Sequence, residues 1–230
     1  MKTVIWDFDG TIGYREGKWS GTVLEILDEY LPGHGVERDE IHNIIAHRFP
    51  WDEWQTPRIP DVTSAEWWDR LDPLFIETFS DVADLDYDDS AEFAKKVRDF
   101  YPKLAPWKLF NDTIPCMRSL KESGWTQIIL SNHVPELDKI LKYLELSEFI
   151  DKAFNSAETG IEKPNQLAFK KVLEYTGGEG LHVMVGDNPV ADVKGAASVG
   201  IPAVLVRNTT GHANCCESLE ELPGILDSLL

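Results

Sequence analysis

A chain of 230 residues has room for one well-filled core and a smaller second domain. Its apolar share of 43% and charged share of 27% belong to an ordinary globular protein and leave no compositional case for disorder. Acidic residues outnumber basic ones 40 to 22, a formal net charge of -18, and no run of Lys or Arg is long enough to track a phosphate backbone, so nucleic acid is excluded as a partner and most of the acid reads as solubility.

The first predicted element is a strand from Lys2 to Trp6. It ends near Asp7, where a loop holding Gly10, Gly13 and Gly17 begins. Met1-Lys2-Thr3 runs directly into that strand, unlike a signal peptide, and no apolar stretch approaches the ~18 residues of a membrane span. The expectation is a cytoplasmic protein with no membrane partner. Residues 17–104 then read as an all-helical insert. "TVLEILDEYL" opens on a capping box, Thr22 to Glu25, and carries Val23, Ile26, Leu27 and Tyr30 at helical spacing. Further helices are predicted near 37–48, 64–80 and 89–101, separated by loops such as "PWDEWQTPRIPD". "DLDYDDS" at 84–90 invites a calcium loop, but its sixth position is Asp89 instead of Gly and its twelfth is Lys95 instead of Glu.

After Pro102 and Pro106 strand and helix alternate. Strands are predicted at 126–131, 152–154, 182–186 and 202–206, and helices at 112–123, 134–144, 164–176, 189–199 and about 216–229. Short apolar strands joined by helical crossovers imply a parallel sheet covered on both faces. The expected architecture is a doubly wound α/β core, residues 1–16 and 105–230, interrupted by a helical domain over 17–104. Cys116 and the adjacent Cys215 and Cys216 make neither a disulfide framework nor a spaced zinc site.

Ligands of open parallel sheets bind beyond the carboxyl ends of the strands, and polar residues gather at those ends. The first strand runs into Asp7-Phe8-Asp9-Gly10-Thr11, the second into Ser131-Asn132, and the fourth into Gly186-Asp187-Asn188, with Asp192 one turn later. Lys163 lies in "GIEKPNQ" at a helix entry. With "DFDGT" as a first motif, "LSN" as a second, Lys163 as a third and "GDNPVAD" as a fourth, the whole chain resembles the haloacid dehalogenase-like hydrolase superfamily, specifically its phosphatases with a helical cap inserted after the first motif. The resemblance implies a Rossmann-like sheet of strand order 5-4-1-2-3.

It also implies roles for the residues. Alternate residues of an extended segment point the same way, so Asp7 and Asp9 can both face one phosphorus. Asp7 would attack and form an aspartyl-phosphate, while Asp9 gives a proton to the leaving oxygen and later activates water. Repulsion between close carboxylates raises one pKa, the condition for such an acid near neutral pH. So many carboxylates beside a phosphate dianion require a hard cation, and oxygen ligands point to Mg²⁺. By resemblance Asp7, Asp9 through its backbone carbonyl, and Asp187 bind it, with Asp192 in support. Lys163, the Ser131 hydroxyl and the Asn132 backbone N–H would hold the phosphoryl oxygens. His133 faces the same loop.

The expected function is Mg²⁺-dependent hydrolysis of a small, soluble phosphorylated metabolite. A sugar-phosphate mutase using the same aspartyl-phosphate, and a non-catalytic binding protein of the same fold, stay open from sequence. Dehalogenation is disfavoured, because halide needs no proton and a metal-binding Asp9 would be superfluous. The insert carries Trp19, Trp51, Trp54, Trp67 and Trp68, mostly expected as core. Tyr14 and Trp19, in the segment leaving the catalytic loop, are the candidates for substrate contact.

Overall fold

The computed structural model describes residues 1–46, 48–58, 63–208 and 214–229. Its strands are β1 (Lys2–Trp6), β2 (Gly13–Arg15), β3 (Trp107–Leu109), β4 (Thr126–Ser131), β5 (Lys152–Asn155), β6 (Leu181–Gly186), β7 (Ala203–Val206) and β8 (Cys215–Cys216). Six of them form one parallel sheet in the order β5-β4-β1-β6-β7-β8, with Ile5 of β1 level with Ile128 on one side and Met184 on the other. Without β8 the order is the expected 5-4-1-2-3, seen from the opposite edge. The Rossmann-like α/β architecture is therefore as predicted, and β8 is an addition. The final helix expected over about 216–229 starts later and is confined to Leu222–Asp227, and Cys216 instead joins Cys215 in β8. A two-residue strand has no periodicity to read; the β7 backbone creates it, with the Leu205 N–H donating to Asn214 O and the Arg207 N–H to Cys216 O, each at 2.9 Å.

By contact the chain divides into two compact units. One is Met1–Tyr14, Trp54–Asp61 and Lys108–Leu230; the other is Arg15–Glu53 and Val62–Trp107. In the first unit, Ile5, Ile128, Leu130 and Met184 on one face of the sheet meet Phe169 and Val172 of the helix Gln166–Thr176. Each such side chain contributes roughly 1.5–3 kcal/mol when fully buried, which offsets the cost of ordering polar groups at the strand tips. Alternation along β1 turns Trp6 to the other face, where its Nε1 donates to Gln127 Oε1 at 3.1 Å and Gln127 Nε2 donates to Met117 O of the helix Thr113–Glu122.

The second unit holds helices Lys18–Tyr30, Arg38–Ile45, Ser64–Asp69, Asp72–Ala83 and Tyr87–Phe100. The predicted capping box at Thr22 does not form. The first helix starts at Lys18 behind Gly17 (φ 78°), Thr22 Oγ1 donates to Lys18 O inside it, and Glu25 pairs with the buried Arg15. The helix predicted over 64–80 is two, because Pro73 fits the first turn of a new helix and lacks the N–H to continue an old one. "DLDYDDS" supplies a helix start: Asp86 accepts the Asp89 N–H at 3.0 Å.

Trp19 is packed instead of presented to a ligand. It stacks on Tyr101 with centroids 3.5 Å apart and planes within 10°, among Phe49, Trp68 and Phe75. Trp67 and Trp68 are buried as expected, while Tyr14, in the first unit, tilts against Phe110 at 4.8 Å. No helix among the described residues is long and apolar enough to cross a membrane.

Candidate active site

The tip of β1 is held in a tight loop. The Phe8 carbonyl accepts from the N–H groups of Thr11, Ile12 and Gly13, and the Gly10 N–H returns to Gly13 O at 2.8 Å. Gly10 sits at φ +92°, and a Cβ there would lie 2.4 Å from Asp187 Oδ2, so only glycine lets the β1 loop approach the β6 tip this closely. The Asp7 N–H donates to Val185 O at 2.9 Å, which keeps Asp7 in the sheet's register, while Asp9 stands two residues along in the loop.

Around Asp7 the expected residues converge. Ser131 Oγ, at the end of β4, donates to Asp7 Oδ1 at 2.9 Å, and Lys163 Nζ lies 3.0 Å from the same oxygen. Lys163 Nζ is also 2.5 Å from Asp192 Oδ1. Asp192 is fully buried; its other oxygen accepts the Asn188 N–H at 3.0 Å. Asp192 is thus a direct partner of Lys163 in this structure. Burial opposes the Lys163 charge, but the Asp192 and Asp7 carboxylates outweigh it and hold the pKa above the ordinary lysine value. Burial pushes the Asp192 carboxyl up, to about 7, against the pull of Lys163 and helped by Asp7.

Asp187 completes the group. Its Oδ1 lies 3.4 Å from Thr11 Oγ1, and one carboxylate oxygen each from Asp7, Asp187 and Asp192 fall within 4.8 Å of one another. Three hard oxygen donors, drawn together where two glycines leave no side chain between them, fit a small divalent cation. Gly186 is the second of those glycines: a Cβ there would meet Asp192 Oδ2 at 2.1 Å. Gly186→Ala should therefore lose about 1–3 kcal/mol of stability, read as a lower Tm, because the carboxylate must leave its partners. An unchanged Tm would mean that the β6 tip yields freely.

Asn132 does not turn its side chain to Asp7. Its Nδ2 donates to Lys163 O at 2.9 Å and its Oδ1 accepts the Lys163 N–H at 2.7 Å, so it fixes the loop that carries the lysine. His133 is buried, with its ring edge-on to Phe8 at 5.4 Å, and burial pushes its pKa down to about 4, so it packs as a neutral ring. Asn188 Oδ1 caps the π-helical turn Pro189–Lys194 through the Val190 and Ala191 N–H groups, and that turn brings Asp192 round to the site.

Two contributions escaped sequence reasoning. A piece of the insert, Trp54–Arg58, packs with the first unit at the Lys163 loop: the Arg58 N–H donates to Gly160 O at 2.7 Å, its guanidinium pairs with buried Glu162, and Asn165 Nδ2 donates to Trp54 O at 3.0 Å. At the end of β7, Arg207 Nε donates to Thr11 O at 2.8 Å. Neither carried a local signal, because the partners lie 104, 111 and 196 residues apart in the chain.

Known proteins resemble this chain in sequence and in fold. The glyceraldehyde 3-phosphate phosphatase of Methanothermobacter thermautotrophicus is 31% identical over 114 residues, 48% of this chain and 50% of that protein. The chain spans about half to three fifths of the length of the curated relatives it matches first. Among solved structures, an HAD phosphatase from Thermococcus onnurineus superposes with a TM-score of 0.66 at 26% identity, covering 98% of both chains. The magnesium-bound HAD-hydrolase YfnB from Bacillus subtilis superposes at 0.75 with 21% identity and the same coverage of both chains, a likeness of fold. The family model for haloacid dehalogenase-like hydrolases matches residues 1–200, a span that runs from the Asp7 loop through Ser131 and Lys163 to Asp192. The chain belongs to the haloacid dehalogenase-like hydrolase family.

Proposed function

We propose that this hydrolase cleaves phosphomonoesters of small metabolites, with Asp7 as nucleophile, Asp9 as acid and base, and a bound Mg²⁺. The observation that carries the reading is the double hold on Asp7. With Oδ1 fixed by Ser131 Oγ and Lys163 Nζ, the carboxylate cannot rotate, and its oxygens keep set directions towards an incoming phosphorus. The phosphatase named among the relatives, and the phosphatase among the structural neighbours, support the same class of substrate.

Asp7 forms a bond to phosphorus as the bond to the leaving oxygen breaks, and Asp9 gives that oxygen its proton. Water then attacks the phosphoryl group on Asp7, Asp9 takes the water's proton, and the Asp7 carboxylate is released with inorganic phosphate. Lys163 offsets charge on the phosphoryl oxygens, and the Asn132 side chain keeps the lysine's backbone in place. Asp7, Asp187 and the Asp9 backbone carbonyl would hold Mg²⁺, with Asp192 beside them; when bound, it supplies the positive charge that lets a phosphate dianion approach these carboxylates. Halide leaves without a proton, so dehalogenation gives Asp9 no task.

The test is a panel of phosphorylated metabolites and an aryl phosphate, assayed for phosphate release with and without chelator. Activity should vanish on chelation and return with Mg²⁺, and Ca²⁺, larger and looser in geometry, should inhibit. Full turnover in excess chelator would sink the metal assignment. Halide release from a 2-haloacid without phosphate release from any ester would overturn the reaction class.

A further inference from the structure

Arg207 has an unusual backbone and an unusually complete set of partners. It follows β7 at φ 61°, in the left-handed region that non-glycine residues seldom enter. Its N–H nevertheless keeps the last rung to Cys216 O at 2.9 Å. The side chain crosses to the β1 loop, where Nε donates to Thr11 O at 2.8 Å, and its fork grips Asp112 through Nη1 at 3.2 Å and Nη2 at 2.6 Å. The guanidinium lies 3.6 Å above the Phe110 ring. Asp112 in turn accepts from Ser218 Oγ and the Leu219 N–H, both at 2.9 Å. Burial works against the Asp112 charge, but Arg207 and these donors prevail and hold its carboxyl below the usual range.

Thr11 is the residue whose hydroxyl lies 3.4 Å from Asp187 Oδ1, and Asn208, next to Arg207, donates through Nδ2 to Asp187 O at 3.3 Å. Two consecutive residues at the β7 tip therefore hold the two strand-end loops on which Thr11 and Asp187 stand. A planar fork that bonds Thr11 and Asp112 at once fixes a distance that a lysine's point charge cannot.

We infer that Arg207 is a positioning residue for the cation site: clamped between Thr11 O and Asp112, it sets the spacing between the Asp9–Thr11 loop and Asp187, and with it the affinity for Mg²⁺. This rests on the metal site proposed above. Arg207 touches neither Ser131, Lys163 nor Asp7 in any described contact, so it acts on the cation side and leaves the phosphate grip alone.

The experiment is calorimetric titration of Mg²⁺ into wild type, Arg207→Lys, Arg207→Ala and Asp112→Asn, with kcat and KM for an aryl phosphate at saturating Mg²⁺ and a melting curve for each. Loss of a residue that orients ligands typically costs 10–100-fold in metal affinity or activity, so Arg207→Lys should weaken Mg²⁺ binding by about tenfold or more and lower kcat with KM unchanged. Asp112→Asn, which keeps the Thr11 contact, should shift Mg²⁺ affinity in the same direction by less. If Arg207→Ala does not fold, the other two variants carry the test. Folded variants with a lower Tm but wild-type Mg²⁺ affinity and kcat would overturn the inference alone and leave Arg207 a merely structural residue. Wild-type enzyme that binds no Mg²⁺ would instead overturn the metal assignment, and the inference with it.

Discussion

Asp7→Asn should abolish phosphate release, by on the order of 10⁴-fold or more, and leave no phosphoryl adduct on the protein. An amide has the shape of a carboxylate but does not attack phosphorus. It keeps an oxygen for Ser131 Oγ and Lys163 Nζ, so the arrangement around it survives. Lys163 stands between two carboxylates, and removing one of them relieves repulsion within the buried cluster. The Tm of the variant should therefore equal or exceed that of wild type, as happens where a site holds charge for chemistry at a cost in stability. The companion Asp9→Asn separates the roles. It keeps the backbone carbonyl but neither donates a proton nor activates water, so it should lose far more activity on alkyl than on aryl phosphates, whose leaving groups need less help. Mass spectrometry of quenched Asp9→Asn enzyme with an aryl phosphate should find the phosphoryl group on Asp7. Turnover by Asp7→Asn, or an adduct mapped elsewhere, would show that the nucleophile is another residue.

Lys163→Ala should act on both stability and rate. Removing one donor to a developing phosphoryl charge costs ~10²–10³ in kcat. The same change strips the fully buried Asp192 of its cation, and breaking a buried pair from one side costs about 3–5 kcal/mol. A lower Tm together with a collapsed kcat is thus the expected pair of results, the reverse of the Asp7→Asn pattern. The pH dependence has a definite sign. Lys163 titrates above its ordinary value in the folded protein, so its contribution to stability is complete at neutral pH and fades only as the pH rises through that raised pKa. Lys163→Arg should rescue poorly, because a planar fork does not fill the space of a compact ammonium between two carboxylates 2.5 and 3.0 Å away. Near-normal kinetics and melting for Lys163→Ala would reduce "GIEKPNQ" to a helix entry.

The sequence by itself determined the architecture and the family. Apolar runs such as "TQIILS" and "HVMVG" have the length of buried strands, crossover helices between them force a parallel sheet, and a parallel sheet puts its functional residues at the carboxyl ends, where the acids, Ser131 and Lys163 were visible as short local strings. The helical insert was legible for the same reason, through its 3.6-residue periodicity, although its helix starts were not: the backbone at Gly17 and the ring of Pro73 set them, against the capping pattern at Thr22 and the unbroken apolar spacing over 64–80. Only the tertiary structure decided how the strand-tip residues are used. It spent the Asn132 side chain on the Lys163 backbone, made Asp192 a direct partner of that lysine through a π-helical turn, and buried Trp19 in an aromatic stack. Arg207 and Thr11 lie 196 residues apart, and the contact between them exists because β7 and β1 end on the same side of one sheet. Local patterns encode which residues reach a strand tip, since period and propensity act over a few neighbours. Which of those residues then touch is fixed by strand order and loop closure, and these arise only when the chain has packed.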